Sequence, residues 1–418
     1  MIKSVMVAAL ALGMVAGAAR ASEPDGLMLP TGFHATVVAE GLGPVRHLTV
    51  RDNGDIYVST RHPRNQPSTG IIALRLGSNH KAVQTEHFST VDQATGIRMY
   101  KGALYAASPT AIYRFPLDGN ALVPSAAPQT VVDGLTVTSN HVFAFDGKGG
   151  LFVAFDGANI CADPAAPRDS KPVGLKPCPA LTTKAGIWRF DDSRLNQKFS
   201  DGERFATGIR DMSALDWRAG DALYGGTHGR DGTHAMFPEV VSATEDEAIP
   251  DELFRIEKAT DMGWPYTYYD GARQKRILAP EYGGDGKASP SEGTYAKPVA
   301  AFFQPRRPAL LDLVVYNGKR FPAMYRSGIF VAMHGGADAD ATPEGQAGYN
   351  IVFVPMKNNQ AGKPVVFADG FAGPLPSDKN LKSAAYRPVG VAVGPDGALY
   401  VADSNKGRIW RIAYGEKP

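Results

Sequence analysis

Two groups of side chains in this chain have types suited to chemistry. Arg46, His141, Arg210, Asp211 and Arg387 each stand at the head of an apolar run. His228, Gly229, Arg230, Asp231, Asp251, Glu252 and His334 lie in the segments THGRD, PDELFRI and HGGAD. Arginine pairs with carboxylates through two parallel N–H donors, so the first group suits an anionic guest. Histidine titrates nearest neutral pH, which makes His141 a candidate proton acceptor. Each residue also has a plainer reading. A lone His before a strand is usually structural, Arg387 before Pro388 fits a surface side chain, and Asp251-Glu252 fits a solvated turn.

The elements that would position these groups are short strands joined by glycine turns. VRHLTVRDNGDIYVST, TGIRMYKGALYAAS, NHVFAFDGKGGLFVAFD, IRDMSALDWRAGDALYGG, LLDLVVYNGKRFPAMYRSGIFVAMHG and YRPVGVAVGPDGALYVADSNKGRIWRI share one form. Each is an apolar strand, a turn and a second strand. A piece of pattern x-I-x-R-[FI] often follows, at Ile112–Phe115, Ile187–Phe190, Leu253–Ile256 and Ile409–Ile412. Such self-similarity signals radial repetition. The repeats predict an all-β, six-bladed β-propeller, with a pair of β-sandwiches as the other architecture. Gly32 to Val38 alternates as a further strand. The long segments Asp231–Pro250 and Gln274–Lys297 are expected to be loop insertions over the channel mouth. Aligning the units on their turns puts Arg46 and His141 at equivalent positions, with Arg210-Asp211 and Arg387 near the same level. That alignment predicts a cationic ring around a channel.

Composition narrows the function classes. The chain has 418 residues, 44% hydrophobic and 21% charged, with Gly 46 and Pro 31. A formal net charge of +2 provides no bulk attraction for nucleic acid or an anionic membrane. Lys3, the apolar run Val5 to Ala18 and the small-x-small pattern Ala19-Arg20-Ala21 read as an export signal. That run is shorter than the about 20 residues a membrane span needs. Residues 1–21 are therefore expected to be removed, and residues 22–418 to form one periplasmic domain. Cys161 and Cys178 are expected to pair in an oxidising compartment, closing a proline-rich loop. No CxxCH motif is present for covalent haem.

The chain resembles the soluble pyrroloquinoline-quinone (PQQ)-dependent sugar dehydrogenases, and within them the sorbosone dehydrogenase-like branch. The resemblance is carried by GFHATVVAEGL, NHVFAFDGKGGLFVAF, ATGIRDMSALDW, THGRD, PDELFRI and MGWPYTYYD. VVYNGKRFPAMYRSGIFVAMHGGAD and the final YRPVGVAVGPDGALYVADSNKGRIWRI complete it. It implies PQQ and Ca²⁺ at the mouth of the ring, and hydride transfer from an aldose or related sugar. His141 is then expected to be the general base, and Arg210 to lie beside the quinone carbonyl. Arg46, Asp211, Arg230, His334 and Arg387 are expected around the cofactor. Backbone carbonyls of Gly229 and Arg230, with Asp251 or Glu252, are expected to hold calcium. Electrons would leave to an external acceptor, a periplasmic cytochrome or a quinone. The sequence departs from the family at Asp211, where Asn is usual, and in the HGGAD loop. A calcium-dependent lactonase propeller and a non-catalytic ligand-binding propeller are the competing readings.

Overall fold

A computed structural model describes residues 20–416, apart from 24, 61–69, 90–94, 137–140, 164, 166–170, 304–305 and 337–341. The expected export signal, as far as residue 19, lies outside the described residues, as does Asn140.

The repeats fold as six antiparallel four-stranded sheets, three of them lengthened by a short extra strand. Their innermost strands are Val45–Val50, Ile97–Tyr100, Phe143–Phe145, Met212–Trp217, Leu310–Val315 and Pro388–Val393. Each touches the next, and the last returns to the first, so the ring is closed. This is the predicted six-bladed β-propeller. Closure is made by the strand Phe33–Ala39, which pairs antiparallel with Ile409–Tyr414 as the outer strand of the sixth blade. Phe33 stands edge-on to Phe321, Tyr325 and Phe367, so an aromatic cluster pins the junction. All four x-I-x-R-[FI] pieces are third strands.

Local chemistry explains the hairpins. In the second blade Tyr100 pairs with Ala103 across Lys101-Gly102, both at positive φ (46° and 76°). A two-residue turn of that handedness matches strand twist, and glycine adopts it without a Cβ clash. Second strands are buried along their whole length, as in Ile56–Thr60, Gly150–Phe155 and Gly328–Met333. A blade is covered on both faces by its neighbours, so these strands are near-continuously apolar rather than alternating.

Antiparallel order sends the chemistry to one face. Inner strands start at the channel mouth, second strands end there, and third strands start there. Loops feeding inner strands and loops joining second to third strands therefore converge. The segment between Thr227 and Asp251 forms short helices, Thr233–Met236 and Ala243–Glu247. The second insertion begins earlier than expected, as a hairpin of Thr267–Asp270 and Lys275–Leu278. Two buried ion pairs fix these insertions, Arg230–Glu281 at 2.8 Å and Arg276–Glu252 at 2.6 Å. Cys161 and Cys178 form the expected disulfide. No helix among the described residues is long and apolar enough to cross a membrane.

Candidate functional site

The inner strands of blades one, four, five and six are irregular at the mouth. Register shifts fall between Val45 and Leu48, Met212 and Ala214, Leu310 and Asp312, and Pro388 and Gly390. A bulge there bends the strand and re-aims its side chains. At the centre of the resulting cluster is Asp211. Its Oδ2 faces His228 Nδ1 at 3.3 Å, while His228 Nε2 lies 2.6 Å from the Leu310 carbonyl. Burial disfavours charge on both groups, yet each is held charged by the other. Asp211 is lowered to about 2, with Arg210 and Arg46 assisting, and His228 is raised to about 9. The imidazolium donates from both nitrogens, to a carboxylate and to a carbonyl.

Arginines surround this pair. Arg210 donates Nη1 to the Gly229 carbonyl at 2.7 Å and Nη2 to the Asp231 carboxylate. Arg307 donates Nη1 to the Arg230 carbonyl and to Asp231 Oδ1. Arg306 pairs with Glu247 at 3.0 Å. Arg387 donates Nη2 to the carbonyls of Gly335 and Gly336, at 2.8 and 3.0 Å, and Nε to that of His334. His334 Nε2 lies 2.8 Å from Ser404 Oγ. Arg306 and Arg307 carry no role in the sequence reading. Their signal was available, because they precede the fifth inner strand much as Arg210 precedes the fourth.

A cavity of about 310 Å³ is lined by His228, Asp231, Glu247, Asp251, Arg306, Arg307, Ala309 and Gly336. That size lies at the small end of the range for small-molecule sites. A larger groove of about 660 Å³ lies elsewhere, along Met28, Phe302, Asn350, Asp369 and Lys379, and no histidine lines it. Below the mouth the channel is plugged by a buried polar cluster. His47 Nε2 meets the Leu311 carbonyl at 2.8 Å, and Arg98 Nη2 donates to the Leu215 carbonyl at 3.0 Å. Asp312 is pushed up to about 7 by burial, against the pull of Arg98. The cavity therefore opens outward, with a closed floor.

Two groups of expected site residues stand differently from the sequence reading. His141 is fully buried between blades two and three, edge-on to Phe155. Its Nε2 faces the Pro109 carbonyl at 3.0 Å and its Nδ1 the Ala154 carbonyl at 3.3 Å. Burial lowers its pKa to about 4, so the ring is neutral and donates one N–H, best placed at the shorter contact. The ring points into the blade interface, where it ties the Pro109 and Ala154 carbonyls of neighbouring blades. His141→Ala is accordingly expected to cost about 2–4 kcal/mol of stability, from a cavity and an orphaned carbonyl. Urea denaturation measures this; an unchanged midpoint with lost turnover would instead restore a catalytic role.

The donors expected to hold calcium are engaged within the protein itself. Carbonyls of Gly229 and Arg230 accept N–H groups of Arg210 and Arg307. Both Asp251 oxygens accept backbone amides, of Gly229 at 3.1 Å and of Leu310 at 3.0 Å. Glu252 is consumed by Arg276, and the Arg230 side chain turns away to Glu281. Oxygens already holding N–H donors do not form the cage of 6–8 that calcium requires. Among the described residues no cluster of three or more His, Cys, Asp or Glu is arranged for a metal.

Comparisons with known proteins agree with this architecture. Residues 27–262 match the family model described as TrAA12-like, and residues 386–412 match an NHL repeat. No curated protein matches the chain. The PQQ domain of pyranose dehydrogenase from Coprinopsis cinerea, in its holo form, superposes with TM-score 0.69 at 15% identity. It covers 94% of this chain and 98% of that one. A Trichoderma reesei carbohydrate-active enzyme of family AA12 gives TM-score 0.70 at 15% identity, over 93% and 98%. The PQQ-bound aldose sugar dehydrogenase of Streptomyces coelicolor gives 0.55 at 17%, over 92% and 99%. At these identities the likeness is one of fold.

Proposed function

We propose, from the premise that the chain belongs to the TrAA12-like family, that it is a quinone-dependent oxidoreductase of sugars. The family membership agrees with the resemblance to soluble PQQ-dependent sugar dehydrogenases, without singling out the sorbosone branch. The observation that carries the proposal is the cationic mouth. Arg306, Arg307 and protonated His228 line one outward-opening cavity together with Asp231, Glu247 and Asp251. Arg210, Arg387 and Arg46 stand behind that lining, against Asp231, Gly336 and Asp211. A planar quinone bearing carboxylates is matched by guanidinium groups.

Arg210, Arg306 and Arg307 would hold the carboxylates of PQQ, with Arg46 and Arg387 supplying charge behind them. When bound, the quinone supplies the hydride acceptor for oxidation of a sugar carbon bearing a hydroxyl. The chain must then take up the hydroxyl proton. We assign that work to the Asp211–His228 pair in place of His141, because His228 lines the cavity and His141 does not. The neutral ring would keep its proton on Nδ1 towards Asp211, and Nε2 would leave the Leu310 carbonyl to accept the hydroxyl proton. Asp211 orients the ring, and positioned proton transfer contributes ~10²–10⁴-fold. A base must be unprotonated, so turnover should rise with pH from neutrality towards about 9. Electrons leave to a separate carrier, and the disulfide suits an exported protein.

The test is reconstitution with PQQ, followed by dye reduction against pyranoses, other aldoses and sugar acids. Sugar-dependent reduction that rises with pH supports the assignment. Dye reduction with no sugar in the panel would remove it.

A further inference from the structure

The loop after the second strand of blade four gathers four oxygens. They are the carbonyls of Gly229 and Arg230 and both carboxylate oxygens of Asp231. Such a set of hard oxygens is what a divalent cation seeks. All four are engaged by two guanidiniums. Arg210 binds the Gly229 carbonyl and Asp231 Oδ2, while Arg307 binds the Arg230 carbonyl and Asp231 Oδ1. Together the two arginines bring two positive charges, the same as one calcium ion.

The surroundings are built for this arrangement. Asn159 clasps the backbone of Asp231 twice, accepting from its amide at 3.0 Å and donating to its carbonyl at 2.7 Å. Asp251 fixes the Gly229 amide from the other side at 3.1 Å. Gly229 itself allows the close passage. A Cβ there would lie 2.2 Å from the Pro250 carbonyl oxygen and 3.2 Å from Arg307 Cδ. Arg307 and Arg210 are mostly covered, with side chains 22% and 15% exposed, so neither is a wandering surface cation.

We propose that Arg307, with Arg210, takes the cation position of this loop, so that the protein keeps its site and loads its cofactor without a divalent metal ion. The difference is chemical as well as electrostatic. A metal ion polarises a bound oxygen as a Lewis acid, whereas guanidinium offers oriented N–H donors that a carboxylate can share. The proposal rests on the quinone reading for the identity of the cofactor, but not for the cation.

The test begins with the protein alone, by calorimetric melting in millimolar calcium chloride or in EGTA. The wild type is expected to melt at the same temperature in both. Arg307→Gln vacates the Arg230 carbonyl and half of the Asp231 carboxylate. It is expected to gain a calcium-dependent rise of several degrees, since a ligand that binds only the folded state stabilises it. Arg307→Lys keeps the charge and should stay indifferent to calcium. The proposal is overturned if the wild type is itself stabilised by calcium. It is equally overturned if Arg307→Gln takes up none, or if Arg307→Lys responds as strongly as Arg307→Gln. A second arm titrates PQQ into the wild type, with an equal Kd expected in calcium and in EGTA. If PQQ binds in neither, the quinone reading fails while the melting result still decides the cation.

Discussion

Asp211→Asn is expected to turn His228 from a cation into a neutral imidazole at pH 7. His228 is half-buried, and its desolvation alone would lower its pKa; the Asp211 carboxylate overcomes that and raises it to about 9. With Asn in its place, desolvation and the nearby Arg210 still lower the midpoint while Asp251 still raises it, and the midpoint should fall well below 9. The ring proton resonances of His228 in an NMR titration report this directly. Stability should follow. His228 binds its proton more tightly folded than unfolded, so it adds stability in full below about pH 6.5. That contribution drains away as pH rises through about 9. Asp211 does the reverse, adding stability above its unfolded value of 3.8 and losing it as pH falls through about 2. In the variant both limbs should flatten in denaturant midpoints measured across pH. A His228 midpoint still near 9 would mean that Asp211 is not what charges the ring.

Glu252→Ala is expected to be the most destabilising single change at the site, by about 3–5 kcal/mol. Glu252 and Arg276 are each 7% exposed and meet at 2.6 Å. Arg276 also donates Nε to the Ala296 carbonyl and lies over the rings of Phe254 and Tyr269. Removing the carboxylate leaves a buried guanidinium uncompensated, and that guanidinium belongs to the hairpin that covers blade four. Replacing both partners by leucine and methionine removes the orphaned charge along with the pair. The double variant should therefore recover much of the loss. Guanidinium-chloride denaturation separates the outcomes. Equal losses in single and double variants would show that packing, rather than charge, is what Glu252 contributes.

These two carboxylates also show what was legible in the sequence. The blades could be read because turn glycines and apolar runs carry the repeat. Lys101-Gly102 and the x-I-x-R-[FI] pieces mark the same hairpin and third strand each time. The common level of Arg46, Arg210 and Arg387 followed from aligning turns. Direction did not follow. His141 has φ of 35°, a left-handed backbone that turns its ring into the interface, and nothing in the letters NHVF reports it. Bulges at the mouth likewise move side chains without changing the repeat. Glu252 read as a calcium ligand or, more plainly, as part of a solvated turn, because its partner Arg276 lies 24 residues away on an insertion whose fold no periodicity encodes. Arg307 was visible but carried no imidazole or carboxylate to single it out.

The central claim is that the cationic mouth of the ring holds PQQ, and an equilibrium titration of the quinone into purified protein addresses it most directly. Saturable binding of one quinone per chain is expected. Arg210→Ala should weaken it at least about tenfold, as loss of a charge-assisted hydrogen bond implies. Absence of saturable binding, or an Arg210→Ala affinity equal to that of the wild type, would contradict the account.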